Sequence, residues 1–279
     1  MGWNEVEDAP HLSASQIGMY LRCPKQYEYR YIKRMVRPPS FALVVGSSVH
    51  KSIEMNYISK FKTKKPESKD VCLDAFDATF EEKKQEVEDD LDQTGKQKDR
   101  GYEMASAHYD LVAPTFQPLE APELEFSVSI PGVKRKLYGF MDVIGTPVVS
   151  AVKKAAGKAK RLIMDNKTAK RKYDRLSVEV SMQLTAYDFA HREIFGKKAD
   201  GVGFDIMVNK KDETEVQRLV TTREDSEAKR FVEGVQMVDK GINAGVFPPV
   251  DNPQTCSWCG YKDICNKAAT RRASAFAPY

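Results

Sequence analysis

Apolar residues along this chain recur first at helical spacing and then at alternate positions. Ser13 can cap a short helix ending near Cys23-Pro24, and Pro24 suits the first turn of a second helix. The next segment, 26–32, is rich in tyrosine. Val45, Val49, Ile53 and Tyr57 fall four apart, which predicts a helix over 41–60 with one apolar stripe. Val71, Leu73, Phe76 and Phe80 give the apolar side of a charged helix over 70–92. Another helix over 100–113 is stopped by Pro114.

The period then changes to two. Leu124, Phe126, Val128 and Ile130 alternate with polar residues, the mark of a half-buried strand, and Pro131-Gly132 makes a turn. Strands are predicted over 137–144 and 161–166, a helix over 176–195, and strands over 202–208 and 216–220. Thr221 with Glu224 reads as a capping box for a helix over 223–243, which Pro248-Pro249 closes. The order is an α/β or α+β layered domain: a helical part over 1–120, a sheet core over 121–222, and a helix with a cysteine-rich tail over 223–279. We expect one domain over the whole chain.

Length and composition agree with a packed core: 279 residues, 41% hydrophobic, with a net charge of only +4. No apolar run approaches the roughly 20 residues of a membrane helix, and no secretory signal is visible, so a soluble, cytoplasmic protein is expected. The small net charge hides an asymmetry. Residues 63–125 carry 8 basic and 17 acidic side chains, and residues 126–175 carry 13 and 3. The first block suits a solvated helix face. The second suits either a polyanion surface or a lysine-rich hairpin tip around 153–161.

The basic block contains the acidic candidates. Asp142 stands in Gly139-Phe140-Met141-Asp142-Val143, and Asp165 and Lys167 in Met164-Asp165-Asn166-Lys167-Thr168. A carboxylate among Val, Ile and Met needs compensation of its charge, and a hard divalent cation supplies it. A spacing of two puts Asp165 and Lys167 on one strand face, so the acid can hold a metal while the lysine faces the same phosphate. Gly46 and His50, four apart on the 41–60 helix, share a face; the glycine implies close backbone approach, and the histidine could reach a metal beside the sheet. Gln183 and Tyr187 repeat that spacing on the helix after Lys167.

Cys256-Ser257-Trp258-Cys259 with Cys265 gives three of four ligands for a metal centre. Cys23, at a helix break, is the better fourth; Cys72, between Val71 and Leu73, reads as a packing cysteine. Zinc and an iron–sulfur cluster both accept four cysteines.

Taken together, these segments resemble the RecB-like nucleases of the PD-(D/E)XK superfamily, in particular the iron–sulfur branch that includes AddB-type nuclease domains and CRISPR-adaptation nucleases. The matching segments run in order from Leu12-Ser13 through Cys23-Pro24, Gly46-x₃-His50, Gly139-Phe140-Met141-Asp142, Asp165-Asn166-Lys167-Thr168 and Gln183-x₃-Tyr187 to Cys256-x₂-Cys259-x₅-Cys265. The resemblance implies a restriction-endonuclease-like mixed sheet flanked by helices. It implies Mg²⁺ or Mn²⁺ on His50, Asp142, Asp165 and the Asn166 carbonyl, with Lys167 acting on water and Gln183 and Tyr187 positioning the site. It also implies a [4Fe–4S] cluster on Cys23, Cys256, Cys259 and Cys265. Glu125 is a further acidic candidate. The expected function is a DNA exonuclease acting on single strands or duplex ends, in recombination, repair, phage or CRISPR processing; the alternative is an inactive iron–sulfur DNA-binding or assembly subunit. No Walker A motif is present, so a helicase partner would be a separate chain.

Overall fold

The computed structural model describes residues 11–87, 94–148, 160–210 and 213–266. They fall into two compact units.

The larger unit comprises 38–128 and 138–229. Its helices are α3 (Phe41–Thr63), α4 (Lys69–Lys83) and α5 (Thr94–Ala107). Ser40 and Ser68 cap α3 and α4, each accepting from a backbone N–H three residues on. The stripe Val45, Val49, Ile53 and Tyr57 is buried, as its spacing predicts, together with Phe76, Phe80 and Met104. Phe76 and Phe80 are fully enclosed, and truncating either to alanine would cost about 3–5 kcal/mol. The last residues of the predicted acidic helix, 88–92, lie outside the described residues; α4 gives way to a single 3₁₀ turn by Glu86.

These helices pack on a mixed five-stranded sheet. In spatial order it runs β2 (Phe116–Pro118), β5 (Val143–Pro147), β6 (Leu162–Ala169), β7 (Gly201–Asn209) and β8 (Thr214–Thr221). β6 and β7 are parallel, with Asp165 opposite Phe204; the other pairs are antiparallel. β7 is buried from Gly201 to Val208, as a central strand covered on both faces must be. The crossover between β6 and β7 carries α6 (Arg175–Glu179) and α7 (Met182–Phe195).

Two predicted elements are divided. The strand expected over 137–144 is two strands, β4 (Lys136–Met141) and β5, separated at Asp142. β4 neighbours β3 (Leu124–Val128), whereas β5 joins the larger sheet. The helix expected over 176–195 breaks at Val180-Ser181 because the buried Arg223 guanidinium satisfies the Val178 and Ser181 carbonyls at 2.9 and 3.1 Å. Ser181 then caps α7. The Thr221–Glu224 capping box does not form: Thr221 ends β8, and the Glu224 N–H donates to Glu227 instead.

The smaller unit comprises 11–37, 129–137 and 230–266 of the described residues. A two-residue strand, β1 (His11–Leu12), pairs parallel with the start of β4. Ser13 and Gln16 form a capping box on α1 (Ala14–Arg22), and Pro24 opens α2 (Pro24–Tyr27), as predicted. α8 (Asp225–Asn243) contributes Phe231, Val235, Val238 and Ile242. Tyr27 and Phe247 stack, Tyr20 lies edge-on to both, and the Tyr20 hydroxyl donates to the Val246 carbonyl at 2.7 Å. α9 (Pro253–Ser257), capped by Asn252, opens the cysteine-rich tail. Among the described residues no helix is long and apolar enough to cross a membrane.

Candidate active site

Period two on β6 sends Asp165 and Lys167 to one face and the Asn166 side chain to the other. Asp165 is almost fully buried. Its Oδ1 accepts from Gln183 Nε2 at 2.8 Å and from the Tyr187 hydroxyl at 3.1 Å. Lys167 Nζ lies 2.6 Å from its Oδ2 and donates to Gln183 Oε1 at 3.0 Å. Gln183 also donates to the Tyr187 oxygen at 2.8 Å. One amide thus holds the acid, the lysine and the phenol, and the four-residue spacing on α7 is what aims Gln183 and Tyr187 together. Burial works against the Lys167 charge, but Asp165 and Asp142 outweigh it and hold the ammonium above its ordinary pKa.

The bend at Asp142 brings a second carboxylate beside the first. Asp142 Oδ2 accepts from the Asn166 N–H at 2.8 Å. His50 Nδ1 lies 3.4 Å from the same oxygen, and its Nε2 is 2.7 Å from the Asn166 carbonyl. α3 faces β6 at Gly46, where an added Cβ would lie 3.5 Å from the Thr168 hydroxyl. That is ordinary van der Waals contact, so the position has room for a Cβ and the close approach expected from its glycine is not found.

Glu123 is the residue that sequence reasoning missed. It sits just before β3 with a left-handed φ of 54°, and its N–H donates to the Asp142 carbonyl at 2.9 Å. One ligand atom each from His50, Glu123 and Asp142 lie within 4.8 Å of one another. Glu125 is exposed and interacts with Tyr138. The alternation itself carried the signal: Leu124 and Phe126 face inward, so the residue between them faces out.

The donor set fits a hard divalent cation: two carboxylates, an imidazole and a backbone carbonyl nearby. Burial, then the Asp165 charge, pushes Asp142 up to about 6. Burial, then Asp142, Glu54 and Asp165, pushes Glu123 up to about 8. Among the described residues, the buried Asp165 Oδ2 has only the Lys167 ammonium beside it. Negative charge crowded in this way is what a bound cation relieves.

The cysteines lie in the smaller unit. Cys23 is buried, and Cys256, Cys259 and Cys265 are half-buried. Burial, then the neighbouring Cys23, Cys259 and Cys256, raises the Cys265 thiol pKa. Gln26 Nε2 approaches Cys259 Sγ at 3.7 Å. Cys72 belongs to the other unit, enclosed in α4, where burial pushes its thiol up to about 11. It is a packing cysteine. Of the basic block, Lys153, Lys154 and Lys158 lie outside the described residues.

The chain belongs to the PD-(D/E)XK nuclease superfamily, whose sequence pattern matches residues 11–266. Its mixed sheet flanked by helices is the restriction-endonuclease-like fold. A Eubacterium rectale protein provisionally described as an exonuclease has a similar crystal structure, with a TM-score of 0.55 and 14% identity over 94% of this chain and 89% of that one. The protein SSO0001 matches over 90% of this chain and 96% of its own at 14% identity, with a TM-score of 0.35. No curated protein matches. The family defines a hydrolytic nuclease, a class that works with divalent metal ions.

Proposed function

We propose that this protein is a Mg²⁺- or Mn²⁺-dependent deoxyribonuclease of the RecB-like branch, working as an exonuclease on single strands or duplex ends. The observation that carries this reading is the closed Asp165–Gln183–Lys167–Tyr187 network beside the His50–Glu123–Asp142 cluster. His50, Asp142, Asp165 and the Asn166 carbonyl would hold the cation, with Glu123 as an additional ligand. The cation supplies Lewis-acid charge that activates water and offsets charge developing on the phosphate. Lys167, kept protonated by Asp165 and Asp142, faces the phosphodiester and stabilises its developing charge. Gln183 and Tyr187 fix the Asp165 carboxylate and the lysine in register.

The test is digestion of end-labelled single-stranded and duplex DNA with Mg²⁺, Mn²⁺ or chelator. Mononucleotides or short products released only with metal are expected. Cleavage that persists in chelator would refute the metal dependence, and no cleavage of any substrate would favour the DNA-binding subunit.

We further propose a [4Fe–4S] cluster on Cys23, Cys256, Cys259 and Cys265. Support comes from the Cys265 thiol, which Cys23, Cys259 and Cys256 all neighbour, and from the Cys256-x₂-Cys259-x₅-Cys265 spacing along the chain. The family pattern runs across both units, which supports one nuclease domain over the whole chain.

A further inference from the structure

Lys167 is followed closely by Lys170-Arg171-Lys172-Tyr173, which the chemistry above does not use. β6 ends at Ala169, and these residues lead without regular structure to the Asp174 cap of α6. The segment is nonetheless anchored. Gln217 on β8 grips the Tyr173 backbone at both ends: its Oε1 accepts the Tyr173 N–H at 2.9 Å, and its Nε2 donates to the Tyr173 carbonyl at 3.0 Å. One side chain thus supplies both bonds a neighbouring strand would make.

The grip places the Tyr173 ring edge-on to Phe204, centroids 6.0 Å apart, and Lys167 Nζ lies 5.4 Å above the same Phe204 ring. The Tyr173 ring and the Lys167 ammonium thus flank one and the same Phe204 ring. Tyr173 is half-buried, and its hydroxyl has no hydrogen-bond partner among the described residues. Lys172 is tied to Glu215. Lys170 and Arg171 are exposed with no acidic partner among the described residues.

We infer that residues 170–173 are the strap that holds one nucleic-acid strand in the active site. The Tyr173 hydroxyl donates to a non-bridging oxygen of the phosphodiester facing Lys167. Lys170 and Arg171 take the adjacent phosphates, so the strap reads backbone rather than base sequence. This rests on the nuclease reading, and it assigns the path of the substrate.

The test uses the full-length, metal-loaded protein with Tyr173→Phe and the double variant Lys170→Ala/Arg171→Ala. Cleavage of a labelled oligonucleotide gives kcat and KM, and fluorescence anisotropy in Ca²⁺ gives affinity against salt. Tyr173→Phe keeps the ring and the backbone grip. It should retain Tm and lose about tenfold in kcat/KM, the worth of one hydrogen bond to a charged oxygen. The double variant should raise KM about tenfold and flatten the salt slope by about 1.4, for two phosphates on a single strand. A Tyr173→Phe enzyme equal to wild type, with an unchanged slope in the double variant, would overturn the strap. If wild type fails to cleave at all, the nuclease reading fails; the salt slope still judges the strap, because it needs no turnover.

Discussion

Gln183 donates to Asp165 Oδ1 at 2.8 Å while its own carbonyl takes the Lys167 ammonium at 3.0 Å. A single neutral amide therefore braces an acid and a lysine that are also in direct contact, Lys167 Nζ lying 2.6 Å from Asp165 Oδ2. Replacing it with alanine leaves Asp165 buried with one donor fewer and leaves Lys167 held by its ion pair with Asp165 alone. Gln183→Ala should lower kcat by about 10- to 100-fold, since misplacement near the reacting group is costly, with a smaller change in KM. Steady-state kinetics on a labelled oligonucleotide check the split. A loss confined to KM would assign Gln183 to substrate binding instead.

Glu123 makes a prediction about pH. Its pKa is raised to about 8 in the fold, so the unfolded chain gives up this proton at lower pH than the folded one. Stability without metal should therefore fall as pH rises from about 4.5 to 8 on account of this group. His108, buried and held neutral with a pKa near 3, acts in the opposite direction from about 3 to 6.5. The window from 6.5 to 8 separates them. There, wild type without metal should lose Tm relative to Glu123→Gln as pH rises, and added Mn²⁺ should reverse the loss. Parallel curves for the two proteins would show that Glu123 does not ionise in this cluster.

The cysteines should divide by unit. Cys259→Ala and Cys23→Ala should remove iron and the brown colour of anaerobically purified protein, whereas Cys72→Ala should keep both. Cys72→Ala should instead lower stability by about 1–2 kcal/mol as a small core truncation. Iron analysis with urea unfolding distinguishes the outcomes. Stoichiometric zinc in a colourless wild type would overturn the cluster.

Gly101 on α5 faces the Phe76 ring so closely that an added Cβ would lie 2.6 Å from it. The same Cβ would lie 3.1 Å from the Val45 side chain. Gly101→Ala should therefore destabilise by about 1–3 kcal/mol through overpacking, despite alanine's better helix propensity. Denaturant midpoints check this; a stabilised variant would mean that the two helices part without cost.

Much of this was legible in the sequence where one physical signal dominated. The stripe through Val45, Val49, Ile53 and Tyr57 had a single solution, and so did the pairing of Asp165 with Lys167 across one pleat. Periodicity did not show that Asp142 divides a strand, because alternation reports faces and not which sheet receives the hydrogen bonds. The break before Ser181 depends on Arg223, which is remote in sequence and buried only by folding. Glu123 escaped because it lies outside any periodic element, in a left-handed turn. β1 and β2, at two and three residues, are too short to show a period.

The central claim is that Asp165 and its partners form a metal-dependent nuclease site. Its most direct measurement compares wild type and Asp165→Asn side by side on labelled single-stranded DNA with Mn²⁺, alongside Mn²⁺ binding by calorimetry. The account predicts cleavage by wild type, loss of at least about a thousandfold in the variant, and weakened Mn²⁺ binding with the fold retained. Equal degradation by both proteins would contradict it.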